Sequence, residues 1–543
     1  MQEYLKQIRE KKALLLFLIY FFSNVFFVLN NSFYWDDWCW TGNTISSFVN
    51  YNKMLGGFGA NGIISFVVYN YPLPCRIFFF FLFIISVYLI YNICISLKFS
   101  PSFAWALSAL ILLYPHPMKF SLSIVAVYLF FFEFILASFL LLNRKQIIYR
   151  ILSLILFFHS FCLNSLLVFY AVPIGLLFYK NYKEKKNNFS FLQFLWFFIK
   201  ENICFLSIPF VFFLIKLFFY PVSGIYAEQD YNFINNYNIK KIVTSVWLQF
   251  KNIIAYIYNL NLQKGAFVAF SFLFVIYLIY YKKYHCLFFY FTIFLIFIFA
   301  VLPYSMVGKT GTFKNILNSR FLFLTSIPIS LFVILLDDNL FKINKALFGI
   351  TIFIFFSLTF ENGIHFFEHK IIQDSFIETI KTNKNIINNN IFTFSDRRRG
   401  IGVKDLNFDF YMLSGLFWKA FDSQEKFGIR VPETYINSYK YKKNHTRMTE
   451  STFLNYYKIK DALPYKYKDI PFQNPTCHIN MFVEKGKFTK KLLIKALVFN
   501  LFSQKKYNGL IKNCVTVQTI LYKDLKSNYL FDYEKGIESF NER

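Results

Sequence analysis

"ALLLFLIYFFSNVFFVLNNSFYWDDWCW", residues 13–40, is the stretch that decides how the chain is read. From Ala13 to Leu29 it is apolar, broken only by Ser23 and Asn24, and about as long as a helix crossing a bilayer core. Lys6, Arg9, Lys11 and Lys12 precede it, which puts the N-terminus in the cytoplasm, because basic residues gather on that side. No small-residue cleavage site follows, so the run reads as a retained anchor and not as a signal peptide. Immediately beyond it stand Asp36 and Asp37, fenced by Trp35, Trp38 and Trp40. Two adjacent carboxylates therefore emerge where a membrane helix meets water on the outer face.

Composition extends this reading to most of the chain. Of 543 residues, 56% are hydrophobic and 16% charged, and the mean hydropathy is +0.41. Soluble domains carry about 25% charged residues, so much of this chain belongs in lipid. The net charge of +28 is in part the Lys/Arg excess of cytoplasmic loops. No basic segment carries a nucleic-acid-binding motif, so nucleic acid is not among the expected partners. Eight cysteines are scattered without a C-x-x-C pair. Cys39, Cys75, Cys94, Cys162, Cys204 and Cys286 lie in or beside apolar runs as small core residues. Cys477 and Cys514 are the two that could pair outside the cell.

Apolar length and flanking charge predict about eleven spans. They run over 13–29, 77–97, 102–114 and 120–142, a short hairpin within 147–179 turning near Asn164, then 202–220, 266–281, 284–302, 320–336 and 344–361. The mixed stretch 240–262 reads as a helix lying along the membrane surface. Residues 1–362 thus form a polytopic domain with a first outer loop at 30–75. Residues 363–543, rich in Lys, Asn, Asp and Tyr, form a mixed α/β domain on the outer face. There "NIFTF" before "SDRRRG" reads as a strand entering a turn, and "FLNYYKI" and "KKLLIKALVFNLF" as further strand or helix elements. No repeat of 20–50 residues is visible.

Carboxylates at a membrane interface are costly and tend to mark function; the plainer alternative is a polar loop with interfacial tryptophan anchors. Among aromatics a carboxyl can act as a general base. One acid of the pair would accept a proton from an acceptor hydroxyl, and the other would hold the acceptor or a divalent metal such as Mg or Mn. No cofactor is required by the sequence.

"YWDDW" at 34–38 after the first span, the hairpin within 147–179, "PYSMVG…NSRFLFL" at 303–324 and an outer domain after the last span together resemble the GT-C superfamily of polytopic membrane glycosyltransferases. Within it, the chain is similar to bacterial O-antigen glucosyltransferases and polyprenyl-phosphate-sugar transferases. The resemblance implies transfer of one sugar from a polyprenyl-phosphate carrier to a surface glycan, glycolipid or protein, by inversion, on the periplasmic face of the bacterial inner membrane. It implies Asp36, with Asp37, as the catalytic acids. Cations for the carrier's phosphate would come from Arg76, His116, Lys119, Lys309, Lys314 and Arg320. Arg76 and Arg320 lead, since a guanidinium fork matches phosphate oxygens. Glu228 and Asp230 are candidate acceptor contacts.

Other readings stay open at this stage. A lipid-linked glycan flippase or exporter would line a pathway with the same charges, and an O-antigen polymerase or ligase would need a large outer loop between late spans. "HFFEH" at 365–369 matches H-x-x-E-H, in which His365, Glu368 and His369 would serve a membrane-anchored zinc peptidase. His159 reads as a satisfied polar group within the hairpin. "SDRRRGIGVKD" at 395–405 is either a solvated turn or an anion site.

Overall fold

The computed structural model describes residues 2–34, 37–38, 44–54, 57–58, 61–142, 144, 146–185, 190–221, 239–258, 284–306, 309–312, 316–340, 346–397, 401–402, 408, 410–422, 426–430 and 477–521. The described chain is mostly helical, with one small mixed sheet. Four of its helices are long and apolar enough to cross a membrane: Pro72–Ser96, Ile124–Leu142, Phe191–Phe219 and Phe348–Ile380. Shorter apolar helices accompany them at Ala13–Ser23, Pro101–Leu113, Ile147–Ser160, Phe291–Met306 and Arg320–Leu335. Outward-facing rings such as Phe210, Phe218, Phe219 and Trp196, each about 70% exposed, suit a lipid surround and not water. The expected span at 266–281 lies outside the described residues.

Local chemistry explains where the helices begin and break. Proline opens the helices Pro72–Ser96 and Pro101–Leu113, where its missing N–H costs nothing. Ser190 and Gln193 form a reciprocal capping box at the start of Phe191–Phe219. The first helix, Gln2–Ser23, stops because Ser23 Oγ and Asn24 Nδ2 both donate to the Tyr20 carbonyl, at 2.9 and 2.8 Å, competing with the helical ladder. The hairpin reverses at 161–164, between Ile147–Ser160 and the helices Ser165–Phe169 and Ala171–Lys185. Lys98 pairs with Glu184 at 3.6 Å, so the turn after Ser96 and the end of the hairpin share one end of the bundle. The loop at 30–38 lies at the other.

The helix Ala346–Ile380 is 35 residues long, about 52 Å at 1.5 Å per residue. A bilayer core is about 30 Å thick, so this one helix is long enough for both a crossing and a stalk. It runs through residue 362 unbroken. The stalk carries Glu361, His365, Glu368, Lys370, Asp374 and Glu378, and packs on the helices Phe410–Phe421 and Gln504–Ile511.

Four strands form the sheet in the order β2-β1-β3-β4, where β1 is Ile391–Arg397, β2 Phe427–Arg430, β3 Cys477–Val483 and β4 Val515–Leu521. β1 pairs in parallel with β2 and β3, while β3 and β4 run antiparallel. The helix Phe410–Phe421 makes the crossover from β1 to β2 that a parallel pair needs. "KKLLIKALVFNLF" is the helix Lys490–Phe502, capped by Thr489, whose Oγ1 accepts from the Leu492 amide; "FLNYYKI" lies outside the described residues. Cys477 and Cys514 cannot form the disulfide their positions had suggested. Cys477 pairs with Leu521 and Val483 with Val515, so the two thiols sit at opposite ends of a ladder, about 20 Å apart at 3.4 Å per residue.

Candidate functional site

Among the described residues, several of the charges expected at the site meet at one corner, at the end of the bundle away from the Lys98–Glu184 pair, where the loop after the first helix touches the start of the helix Leu122–Leu142. Asp37 is fully buried. Its Oδ2 accepts from the backbone amides of Tyr34 at 3.1 Å and Leu122 at 3.0 Å, and its Oδ1 from Ser121 Oγ at 3.0 Å. The Leu122 bond satisfies an N–H at a helix start, where a carboxylate also suits the helix dipole. Arg76, also fully buried, donates through Nη2 to the carbonyls of Ser32 at 2.7 Å and Phe120 at 2.9 Å. Its guanidinium lies 5.4 Å from the Phe27 ring and 5.7 Å from Tyr34.

The two opposite charges therefore grip the same two pieces of backbone, Arg76 by their carbonyls and Asp37 by their amides. Tyr34 completes the corner: its hydroxyl donates to the Phe366 carbonyl at 2.5 Å and accepts from Asn30 Nδ2 at 2.6 Å. Burial raises the Tyr34 hydroxyl pKa above its ordinary value, partly offset by Arg76. It stays a neutral donor.

Lys119 and His116 sit on the same connector, 114–121. Lys119 Nζ donates to Asn24 Oδ1 in the break after the first helix. With no carboxylate to compensate, burial pushes its pKa down from 10.5 to about 7. His116 packs between Tyr114 and Phe323, with centroids at 4.5 and 5.3 Å, and its Nδ1 is buried without a hydrogen-bond partner. Burial, and then the charge of Lys119, push the His116 pKa well below 6.5. Arg320 lies over the Phe321 ring at 4.9 Å, in the short 3-10 helix Arg320–Thr325 that follows a turn packed on the 117–120 segment. Lys309 is exposed and uses its carbonyl to accept from Ser245 Oγ at 3.3 Å. Asp36, Lys314, Glu228 and Asp230 lie outside the described residues, as does most of 395–405.

Of the sequence-derived residues, Asp37, Arg76, Lys119 and His116 are thus brought to one corner, while Lys309 stands apart. The H-x-x-E-H residues do not gather as metal ligands. His365 Nδ1 is 3.1 Å from Glu368 Oε2, which also accepts from the Gly402 amide at 3.1 Å. His369 is buried with its ring 5.4 Å from Phe408. No group of three His, Cys, Asp or Glu able to hold a metal occurs among the described residues. His159 Nδ1 lies 2.9 Å from the Ile155 carbonyl, satisfied within its own helix.

Sequence reasoning missed Tyr34, Ser121 and Asn24, which are unremarkable as residue types and matter only through partners distant in the chain. It also missed a second cluster on the stalk. Asp374 accepts from Lys370 Nζ and, at 2.9 Å, from Tyr507 Oη, and Lys419 Nζ stands 3.8 Å away. The spacing of Lys370 and Asp374, four apart on a helix, was the available signal. No protein-family model, curated protein or solved structure matches this chain.

Proposed function

We propose that the chain is a membrane glycosyltransferase of GT-C type, which moves a sugar from a polyprenyl-phosphate carrier to a glycan, glycolipid or protein acceptor on the periplasmic face of a bacterial inner membrane. The observation that carries this reading is the corner itself. An acid-bearing loop is fixed by Asp37 and Arg76 at one end of an apolar helix bundle, with Lys119 and His116 on the adjoining connector. Asp37, with three donors on its two oxygens, is a positioning residue. The base is then Asp36, which takes the proton of the acceptor hydroxyl. That oxygen attacks the anomeric carbon from the face opposite the phosphate, the bond from carbon to phosphate oxygen breaks, and the electron pair leaves with the phosphate. Cations at the corner offset the charge that develops there. The polytopic architecture of about eleven spans belongs to the same proposal.

A labelled polyprenyl-phosphate sugar supplied to membranes holding the full chain tests it. Transfer to acceptor is expected with the native protein and a fall of at least about 10²-fold with Asp36→Asn, the scale of losing a general base. Undiminished transfer with Asp36→Asn overturns the assignment. The second reading, a lipid-linked glycan flippase or exporter, is favoured by one observation: Glu133, buried midway along Leu122–Leu142, accepts from Ser86 Oγ of the neighbouring helix, an intramembrane carboxyl of the kind that marks pathways. Movement of the labelled carrier across the bilayer without formation of a glycosidic bond would select it.

A further inference from the structure

Trp38 directly follows the two acids, yet it does not belong to the membrane core. It is buried in the core of the outer domain, among Ile372, Phe376, Leu413, Leu416 and Phe417. The helix Phe410–Phe421 receives it at Gly415, where an added Cβ would lie 2.8 Å from Trp38 Cε3 and 3.0 Å from the Trp38 carbonyl oxygen. Only a residue without a side chain leaves that space. One turn further on, Lys419 Nζ lies 5.8 Å from the centre of the Trp38 ring and 3.8 Å from Asp374 Oδ1. Phe33 packs edge-on against the same ring at 5.5 Å, and its carbonyl accepts from Gln373 Nε2 of the stalk at 3.2 Å.

Neighbouring residues of one short turn are thus held by different bodies. Asp37 is tied to the membrane bundle through Ser121 and Leu122, and Trp38 is plugged into the soluble domain. From this we infer that the outer domain is a positioning device for the acidic loop, with Trp38 as its anchor and Gly415 as the socket. The consequence for catalysis rests on the transferase reading. The anchoring does not, and the two are tested separately.

The experiment uses the full chain in lipid nanodiscs, with the variants Trp38→Ala, Trp38→Phe and Gly415→Ala, and two readouts. The first is hydrogen exchange. Amides of residues 31–38 are expected to exchange at least about tenfold faster in Trp38→Ala and Gly415→Ala, while β1, β3 and the helix Pro72–Ser96 stay within about threefold of native. Trp38→Phe, which keeps a ring in the socket, should recover most of the protection. Unchanged exchange at 31–38 in both Trp38→Ala and Gly415→Ala overturns the anchor, and so does equal loss of protection across β1 and β3, because Trp38 would then be ordinary core. The second readout is sugar transfer. A misplaced acid lowers kcat at least about 10²-fold with KM for the carrier held within about threefold, since the cations lie on the bundle. A loosened loop with native kcat overturns the positioning role. Absence of transfer from the native protein as well would count against the transferase reading alone, and the exchange data would still decide the anchor.

Discussion

Replacing Arg76 by methionine keeps an apolar stem, takes the guanidinium from over the Phe27 and Tyr34 rings and removes both bonds to the carbonyls of Ser32 and Phe120. It also takes a nearby positive charge from Asp37 and leaves two buried carbonyls without their donor, a loss on the order of 1–3 kcal/mol for each unsatisfied group. Arg76→Met combined with Asp37→Asn should cost less than the sum of the single changes by about 1–2 kcal/mol, because each removes part of one network. Denaturation midpoints of the four proteins in detergent measure this; strict additivity would show that the two side chains do not act together. Lys119 supplies a pH dependence of stated sign. Its folded pKa, about 7, lies below the ordinary 10.5, so between these values the unfolded chain binds more protons and stability rises with pH. Below about pH 7 the whole penalty of burying the charge is present. The slope is at most about 1.4 kcal/mol per pH unit. His116, lowered by burial and by Lys119, acts in the same sense at lower pH, below its ordinary 6.5. Lys119→Met should flatten the rise between pH 7 and 10 and reduce the His116 contribution only by the smaller part that Lys119 causes, leaving the part that burial causes, as unfolding at stepped pH will show.

The stalk of Ala346–Ile380 is where an element does more than its sequence announces. Polar residues from Glu361 onward resemble the end of a span, and the apolar run alone predicts a stop there. The helix continues because its charges find partners far along the chain: Lys370 and Asp374 are met by Tyr507 and Lys419. Such partners are invisible to a reading by local periodicity. Four of the expected spans, those at 77–97, 120–142, 202–220 and 344–361, were legible as long apolar helices because apolar length is a property of consecutive residues, and the hairpin's reversal near Asn164 was legible for the same reason. Trp38 was not. An aromatic residue beside a membrane helix looks like an interfacial anchor, and only the folded chain shows it inside the core that covers the sheet. Asp37 was recognisable as important by its place, whereas its task of holding two backbone corners emerged only from its three donors. Asp374 gives the stalk its own prediction. Asp374→Ala strands Lys370, whose side chain is 3% exposed, as a buried unpaired cation, at a cost on the order of 3–5 kcal/mol. Faster hydrogen exchange in the helix Gln504–Ile511, with the helix Pro72–Ser96 unaffected, is the expected signature; uniform exchange across both would mean that the cluster does not join the stalk to that helix.

At the scale of the whole molecule, the burial of Trp38 among residues of the sheet's core has a consequence for sidedness. The acidic loop and the sheet must face the same compartment, whichever it is. The apolar part of the first helix, Ala13–Ser23, is about 16 Å long at 1.5 Å per residue, so a crossing of a core about 30 Å thick would also need the apolar residues 25–29 that follow it. The turn held by the Lys98–Glu184 pair lies at the opposite end of the bundle from the loop and is basic, as a cytoplasmic turn should be. Transfer from a carrier on the periplasmic face needs the loop, and with it the outer domain, to lie there. Cysteines introduced one at a time into a background from which exposed Cys204, half-buried Cys162, Cys39 and Cys286 have been removed decide the matter. Lys505→Cys, on an exposed part of the helix Gln504–Ile511, should react with a membrane-impermeant maleimide added to intact cells with a permeabilised outer membrane. Gln2→Cys should react only after the inner membrane is opened. Reaction of both without opening would mean that the first helix does not cross, since its two ends would share a compartment. The reverse pattern would keep the fold as described and turn it over, placing Asp37 and Arg76 in the cytoplasm. The proposed periplasmic transfer would then fail, while the anchoring of Trp38 at Gly415 would stand, because it depends on packing and not on which side of the membrane the packing occurs.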